Sequence, residues 1–391
     1  MRYLYSVAAI GFICLLVAEL ALRIVGFSLV NFYQYSECCG SALRPSFEGA
    51  FSKEGSTHIK INSDGLRDRE YTVSKPESVY RIAVLGDSYT EALQVTEDEA
   101  FWGVLETQLN SPERQVEVMN FGVSGYGTAQ ELHMLRHKVL KYQPDLVVLA
   151  FLTGNDIRNN AEVLEKSPLR PYYLLEEGNL VLDNSYLQEP GFKVERQGAD
   201  WLFHFLLDNL RIVQLANQVR LAMKQAAQAK VQAQAQSQGA QIGEAGLDSQ
   251  VYLPFERLNE DWQQAWQVTF SLLKAVQAES NNHGADFLLV GLSNGIQVNP
   301  DEVKRAAFKA SLGVETLHHP DDMLAAFSRD NQVAFLPLVE PLKTWAKANK
   351  TCVHGFENAI PCGGHWNQHG HQVAGKLLAA HIESQYLQRH P

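Results

Sequence analysis

Four residues in this chain could together perform acyl chemistry, and each follows a short apolar run or precedes the last helix. Gly86-Asp87-Ser88 ends the run Arg81 to Leu85. A serine at a sharp strand-to-helix turn exposes its hydroxyl. Its own N–H then lies near a helix N-terminus, where developing negative charge is favoured. The same three residues also fit a plain helix-capping serine. Gly122 stands in Asn120-Phe121-Gly122-Val123-Ser124-Gly125-Tyr126-Gly127, after the run Val116 to Phe121. A glycine there lets a backbone N–H approach a ligand closely, and taken alone it reads equally as a flexible loop. Asn155 lies in Thr153-Gly154-Asn155-Asp156, after the run Asp145 to Phe151. Its amide is a neutral donor suited to an oxyanion, and asparagine is also a common turn residue. His365 lies in Gly363-Gly364-His365-Trp366-Asn367-Gln368-His369-Gly370-His371, just before a helix expected over Gln372 to Tyr386. An imidazole there can take a proton from a serine hydroxyl.

Positioning those residues requires a particular set of elements. The apolar runs at Arg81 to Leu85, Val116 to Phe121, Asp145 to Phe151, Asp286 to Leu292 and Val333 to Leu338 are short and unalternating. That pattern marks strands buried on both faces. Helical stretches such as Phe101 to Leu109, Ala129 to Tyr142 and Trp262 to Glu279 fall between them. Strands alternating with helices imply a doubly wound α/β fold with a parallel sheet of five strands. In such sheets function gathers at the carboxyl ends of the strands, where the polar motifs sit.

The order of these motifs resembles that of the SGNH (GDSL-type) hydrolase superfamily, which is named for the same four residue types. Gly86-Asp87-Ser88 is similar to its nucleophile block, Gly122 to its second, Gly154-Asn155-Asp156 to its third and His365 to its last. The likeness covers roughly residues 60–160 and 284–386. It implies a flavodoxin-like sheet and a serine esterase or acyl-transfer site. Ser88 and His365 would be catalytic, with Ser88, Gly122 and Asn155 forming the oxyanion hole. The implied substrate is an O-acyl group of a carbohydrate or another small ester. A glycan O-acetyltransferase using the same site, or a non-catalytic binding protein with the same fold, are the alternatives. One departure stands out: the family usually carries an aspartate two or three residues before the histidine, and this chain has Gly363 and Cys362 there. A backbone carbonyl, Glu357 or Glu340 would have to orient His365 instead. Tyr89, Tyr126 and Trp366 flank the site and are read either as sugar-stacking or as packing groups.

The N-terminus is of a different character. Leu4 to Leu22 is apolar apart from Glu19 and long enough to cross a bilayer. Arg2 precedes the stretch, which favours an inside N-terminus. An uncleaved transmembrane signal anchor over 1–26 is expected, with a cleaved signal peptide and a buried helix as the other readings. Residues 27–80 are expected as a stalk packing partly on the domain. Residues 81–391 are the SGNH hydrolase-like domain, interrupted by a helical insertion over 165–257. Within the insertion, Leu221 to Gln241 is rich in Ala, Gln and Lys without an apolar stripe, and Trp201 to Val213 looks amphipathic. The anchor places the domain outside the cytoplasm, in the periplasm or at the cell surface.

Composition narrows the partners. Among 391 residues, 33 Lys and Arg against 44 Asp and Glu give a net charge of −11, so no basic excess exists to neutralise nucleic-acid phosphates. The expected partners are a small-molecule or glycan ester and the membrane. No cofactor is expected: the phosphate-loop pattern is absent and residues 122–127 have the wrong glycine spacing for a dinucleotide. A metal cluster of His354, His365, His369 and His371 is disfavoured by irregular spacing. Cys352 with Cys362 is the preferred disulfide, closing a loop with Gly and Pro. Adjacent Cys38 and Cys39 are poorly placed to bridge each other, so they stay reduced or pair elsewhere.

Overall fold

A computed structural model describes residues 2–190, 192, 201–220, 223 and 249–389. Its strands are, in chain order, β1 (Tyr33–Ser36), β2 (Gly40–Leu43), β3 (Glu48–Phe51), β4 (Thr57–Lys60), β5 (Val79–Gly86), β6 (Gln115–Asn120), β7 (Leu146–Phe151), β8 (Tyr172–Glu176), β9 (Asn179–Asp183), β10 (Asp286–Gly291) and β11 (Ala334–Pro337). Five of them form one sheet in the order β11-β10-β7-β5-β6, and every pairing within it is parallel. Numbered along the chain, that order is 2-1-3-4-5, the flavodoxin-like arrangement. The doubly wound fold read from the sequence is therefore the fold observed.

The apolar runs explain the sheet. All six residues of β7, the middle strand, are buried. Along β5, Ala83 and Leu85 enter one core and Ile82 and Val84 the other, as the two-residue period of a strand requires. The helices Thr128–Met134, Glu260–Asn282 and His319–Asp330 cover the first face. The helices Phe101–Leu109, Val339–Asn349 and Gln368–Gln385 cover the second. The stretch expected as one helix over Ala129 to Tyr142 divides: an α-helix to Met134, a π-turn over Leu135–Val139, then a tight turn to Tyr142.

Residues 27–80, read as a stalk, make two antiparallel hairpins, β1–β2 and β3–β4. Phe32, Leu43, Ile59 and Ile61 share a buried cluster with Leu93, just beyond the serine turn. Arg67 is 1% exposed and donates to the carbonyls of Glu91, Ala92 and Val95. It thereby holds the chain that leaves Ser88.

Within the insertion, β8 and β9 form a hairpin, Trp201–Asn209 is helical, and a second helix covers 211–220. The helical stretch expected over Leu221 to Gln241 lies outside the described residues, apart from Met223. At the N-terminus, Arg2–Ile24 is one helix, and within it Tyr5–Ile24 is long and apolar enough to cross a membrane.

Cys352 and Cys362 are bridged, with Cα atoms 5.2 Å apart. The expectation for Cys38 and Cys39 needs correction. They are bridged to each other, in the turn joining β1 to β2. The other described cysteines leave them no partner: Cys352 and Cys362 hold each other, and Cys14 lies in the N-terminal helix.

Candidate active site

The sheet delivers Ser88 at the end of β5. Asp87 caps the short helix Ser88–Glu91 and accepts the Tyr89 N–H at 2.9 Å. Among the described residues, nothing accepts the Ser88 N–H, which is left at the helix N-terminus. The Ser88 hydroxyl donates to His365 Nε2 at 2.8 Å, although 277 residues separate them. On the other side of the ring, His365 Nδ1 donates to Glu54 Oε2 at 2.5 Å, and the His365 backbone N–H donates to Glu54 Oε1 at 2.9 Å. One carboxylate therefore fixes both the tautomer and the orientation of the imidazole.

Glu54 was not among the candidates read from sequence, because it sits in the turn between β3 and β4. Glu340 and Glu357, the acids that reading offered, do not reach the histidine. Glu340 is engaged with Lys343 and His318, and Glu357 is on the surface. Several contacts hold Glu54 in place. Asn358 accepts from the Gly55 N–H at 2.9 Å and donates to the carbonyls of Gly55 and Ser52. Asn358 lies inside the loop closed by the Cys352–Cys362 bridge. Gly364 has φ +73°, and a Cβ there would lie 2.3 Å from Glu54 Oε1. The carboxylate thus uses the space that a side chain before His365 would fill.

The electrostatics follow. Burial works against charge on His365, but Glu54 first, and then Asp87 and Glu91, outweigh it and hold the imidazole pKa above its ordinary value. Burial raises the Glu54 carboxyl, but its hydrogen bonds with His365 outweigh that and leave it below the usual range. The two opposite shifts mean that each bonded partner stabilises the charged form of the other.

The donors expected for an oxyanion divide. Asn155 is partly exposed, and one of its amide hydrogens goes to Asp87 Oδ2 at 3.0 Å, leaving the second. Gly122 is placed differently from the expectation. It is buried, and its N–H donates to Asn120 Oδ1 at 2.9 Å. A Cβ there would lie 2.4 Å from the Glu91 nitrogen, so this glycine is a packing contact against the serine helix. In the same loop Gly125 is exposed, has φ +77°, and its N–H has no acceptor among the described residues. The sequence holds both glycines, and only hydrogen-bond occupancy separates them. The loop is tied to the end of β5 through Val123 N–H to Gly86 O at 3.1 Å.

The remaining polar residues are braces. Asp87 is fully buried, and burial raises its pKa. Asp156 accepts the Leu152 N–H at 2.7 Å beneath the Asn155 loop. Tyr89, Tyr126 and Trp366 are 6%, 1% and 0% exposed, so they pack rather than stack on a ligand. His354 and His371 are occupied as well. His354 donates from Nδ1 to Gly364 O at 2.8 Å and accepts from Ser293 Oγ at 3.0 Å, and His371 Nδ1 accepts the Phe101 N–H at 3.2 Å. Burial lowers the pKa of His354 to about 4 and that of His371 to about 3, so both are neutral. One group of described residues has metal-ligand spacing, Cys38 with His133 and His137, and it does not include the serine or its histidine. Beside His365 and Glu54 opens a cleft of about 530 Å³.

No family model and no curated protein matches this chain. Among solved structures it is similar to an acetyl xylan esterase, AlAXEase, with TM-score 0.38, 11% identity, 77% of this chain covered and 99% of that one. It is similar to a lipase/acylhydrolase from Enterococcus faecalis with TM-score 0.37, 11% identity, and 78% and 96% covered. A putative lipolytic protein of the G-D-S-L family from Desulfitobacterium hafniense DCB-2 has TM-score 0.33, 10% identity, and 77% and 98% covered. The five-stranded parallel sheet and its strand order, described above, are the fold that the resemblance to the SGNH hydrolase superfamily implies.

Proposed function

We propose that the chain is a serine ester hydrolase of the SGNH type, acting on small O-acyl groups such as those on carbohydrates. The observation that carries this reading is the line Ser88 Oγ to His365 Nε2, His365 Nδ1 to Glu54. A hydroxyl is a weak nucleophile at its own pKa and needs an adjacent base, itself oriented by a third group. His365 takes the hydroxyl proton as Ser88 Oγ attacks the ester carbonyl. The imidazolium that forms is stabilised by Glu54. The negative charge on the carbonyl oxygen falls to the Ser88 N–H, the free amide hydrogen of Asn155 and, in place of Gly122, the Gly125 N–H. Each such donor contributes ~3 kcal/mol to lowering the barrier. The imidazolium then protonates the leaving alcohol, which departs and leaves an acyl-serine. Water, deprotonated by the same imidazole, attacks the acyl carbonyl, and as the bond to Ser88 Oγ breaks the imidazolium returns the proton to the serine and the acid leaves.

The N-terminal helix is the membrane anchor in this reading, with the catalytic domain on the extracytoplasmic side. The test uses 4-nitrophenyl acetate and a fluorophosphonate. Wild type should turn over the ester and be labelled, and Ser88→Ala should do neither. Equal turnover by both proteins would remove the assignment.

A further inference from the structure

Away from the serine, Cys38, His133 and His137 each bring a ligand atom within 4.8 Å of the other two. The sulfur comes from the turn between β1 and β2, and the imidazoles come from one helical stretch. His133 is in the helix Thr128–Met134, and His137 is in the π-turn Leu135–Val139 that continues it. Histidines four residues apart on a helix lie on one face and can share a cation. Here their rings are parallel within 9°, with centroids 5.8 Å apart. π-turns inside helices are frequent at functional sites, and this one sets the position of His137.

His133 is held as a metal-bound histidine is held. It is 8% exposed. Its Nε2 pairs with the Tyr173 hydroxyl at 3.2 Å, and the same oxygen accepts from Arg136 Nη1 at 3.3 Å. Its Nδ1 is buried and has no hydrogen-bond partner among the described residues. A proton on Nδ1 would be a buried donor without an acceptor, at the cost of its full desolvation. The ring proton therefore belongs on Nε2, donated to Tyr173, and Nδ1 keeps a bare lone pair. An oxygen fixing one ring nitrogen while the other stays open is the arrangement that orients imidazoles toward metals.

We propose that Cys38, His133 and His137 bind a zinc-like divalent cation once the Cys38–Cys39 disulfide is reduced. One thiolate and two imidazoles suit Zn²⁺, which takes S and N ligands tetrahedrally, with water in the fourth position. Bonds of ~2.0–2.3 Å at tetrahedral angles put the ligand atoms ~3.3–3.7 Å apart, so the cluster closes on the ion by roughly 1 Å. Cys38 is partly exposed and His137 exposed, which leaves room for that movement and for a reductant to reach the sulfur. In the oxidised protein the Cys38 sulfur is bonded to Cys39 and offers no thiolate. A dithiol opens the bridge: the S–S bond breaks, two electrons and two protons make two thiols, and the dithiol leaves as its own disulfide. The Cys38 thiol then gives its proton to solvent as the sulfur takes the cation. The bound ion ties the β1–β2 turn to the helix that covers the first face of the sheet.

Neither Ser88 nor His365 takes part, so the test needs no ester turnover. The full chain in detergent is reduced with tris(2-carboxyethyl)phosphine under argon, freed of the reductant and titrated with Co²⁺. Cobalt occupies tetrahedral zinc sites and reports a thiolate ligand by a sulfur-to-cobalt charge-transfer band in the near ultraviolet. Reduced wild type should bind one Co²⁺ with that band, and Zn²⁺ should displace it. Unreduced wild type should show no band. Cys352→Ser with Cys362→Ser should keep the band after reduction, and Cys38→Ser should abolish it. His137→Ala, a change at an exposed position, should weaken Co²⁺ binding at least tenfold. Tyr173→Phe should weaken it ~10- to 100-fold through the orientation of His133. No band in reduced wild type, a band that survives in Cys38→Ser, or an unchanged Kd in His137→Ala overturns the site. A band of equal strength in unreduced wild type overturns its control by the disulfide.

Discussion

Replacing Glu54 with glutamine tests the mechanism most directly, because the change removes one charge and little volume. Glu54 serves two N–H groups, the His365 backbone and Nδ1, through two carboxylate oxygens. The glutamine amide has only one acceptor oxygen, so one of those N–H groups loses its partner. The larger loss is electrostatic. With charge centres ~4 Å apart and an effective dielectric near 20, the pair stabilises the imidazolium by ~4 kcal/mol. The side chains of His365 and Glu54 are 27% and 15% exposed, so solvent screens part of that. Retaining ~2–3 kcal/mol predicts a fall in kcat of ~30- to 160-fold. The pH profile gives a second readout. Catalysis requires neutral His365, and Glu54 is the main group holding its pKa up against burial. Wild type should therefore lose activity as pH falls through a value raised from that of an ordinary histidine, and in Glu54→Gln that limb should move to lower pH. The assay is kcat against pH with 4-nitrophenyl acetate. Glu340→Gln and Glu357→Gln should match wild type. A Glu54→Gln enzyme within threefold of wild type, with an unmoved acid limb, would refute the reasoning.

Other substitutions probe the supports. Asn155→Ala should lower kcat by ~10²- to 10³-fold with little change in KM, as the loss of one oxyanion donor predicts, measured in the same assay. Gly122→Ala should destabilise the fold by ~1–3 kcal/mol, because its Cβ would meet the Glu91 nitrogen at 2.4 Å; urea unfolding reads this. Cys352→Ser with Cys362→Ser should cost ~3 kcal/mol by loop closure. It should also lower kcat by loosening Asn358 and with it Glu54, as parallel thermal melts and kinetics would show. Glu91 is buried, and burial raises its pKa to about 7. A carboxyl raised in the folded state stabilises most below its unfolded pKa, and that stability is lost as pH rises through about 7. Glu91→Gln should therefore flatten the fall in melting temperature between pH 5 and 8.

Much of the scaffold was legible because burial on both faces leaves a plain signature. Runs such as Leu146 to Phe151 permit no alternating polar residue, so the sheet can be read strand by strand. Ser88 and Asn155 stand out in the sequence for a related reason, because each follows such a run, whereas His365 stands out by its place just before the last helix. Glu54 was not, because it closes no strand of that sheet. It sits in a tight turn of a minor hairpin, 311 residues from its partner, and nothing in Lys53-Glu54-Gly55 distinguishes it from a surface turn. The choice between Gly122 and Gly125 was illegible on different grounds. Both satisfy the motif, and the difference lies in a local bond that the Gly122 N–H donates to Asn120 Oδ1. The pairing of Cys38 with Cys39 went against the usual geometric preference and could be seen only once the other cysteines were accounted for.

Glu54 belongs to a hairpin that comes before the first strand of the large sheet. Anyone trimming the gene to its recognisable αβ unit, starting near Val79, would obtain a polypeptide retaining the nucleophile and its base. That shortened product would lack not only Glu54 but also Arg67, which holds the chain leaving Ser88, and the cluster of Phe32, Leu43, Ile59 and Ile61 against Leu93. It would be easy to mistake for a degenerate relative, when the missing ingredient had been discarded at the cloning step.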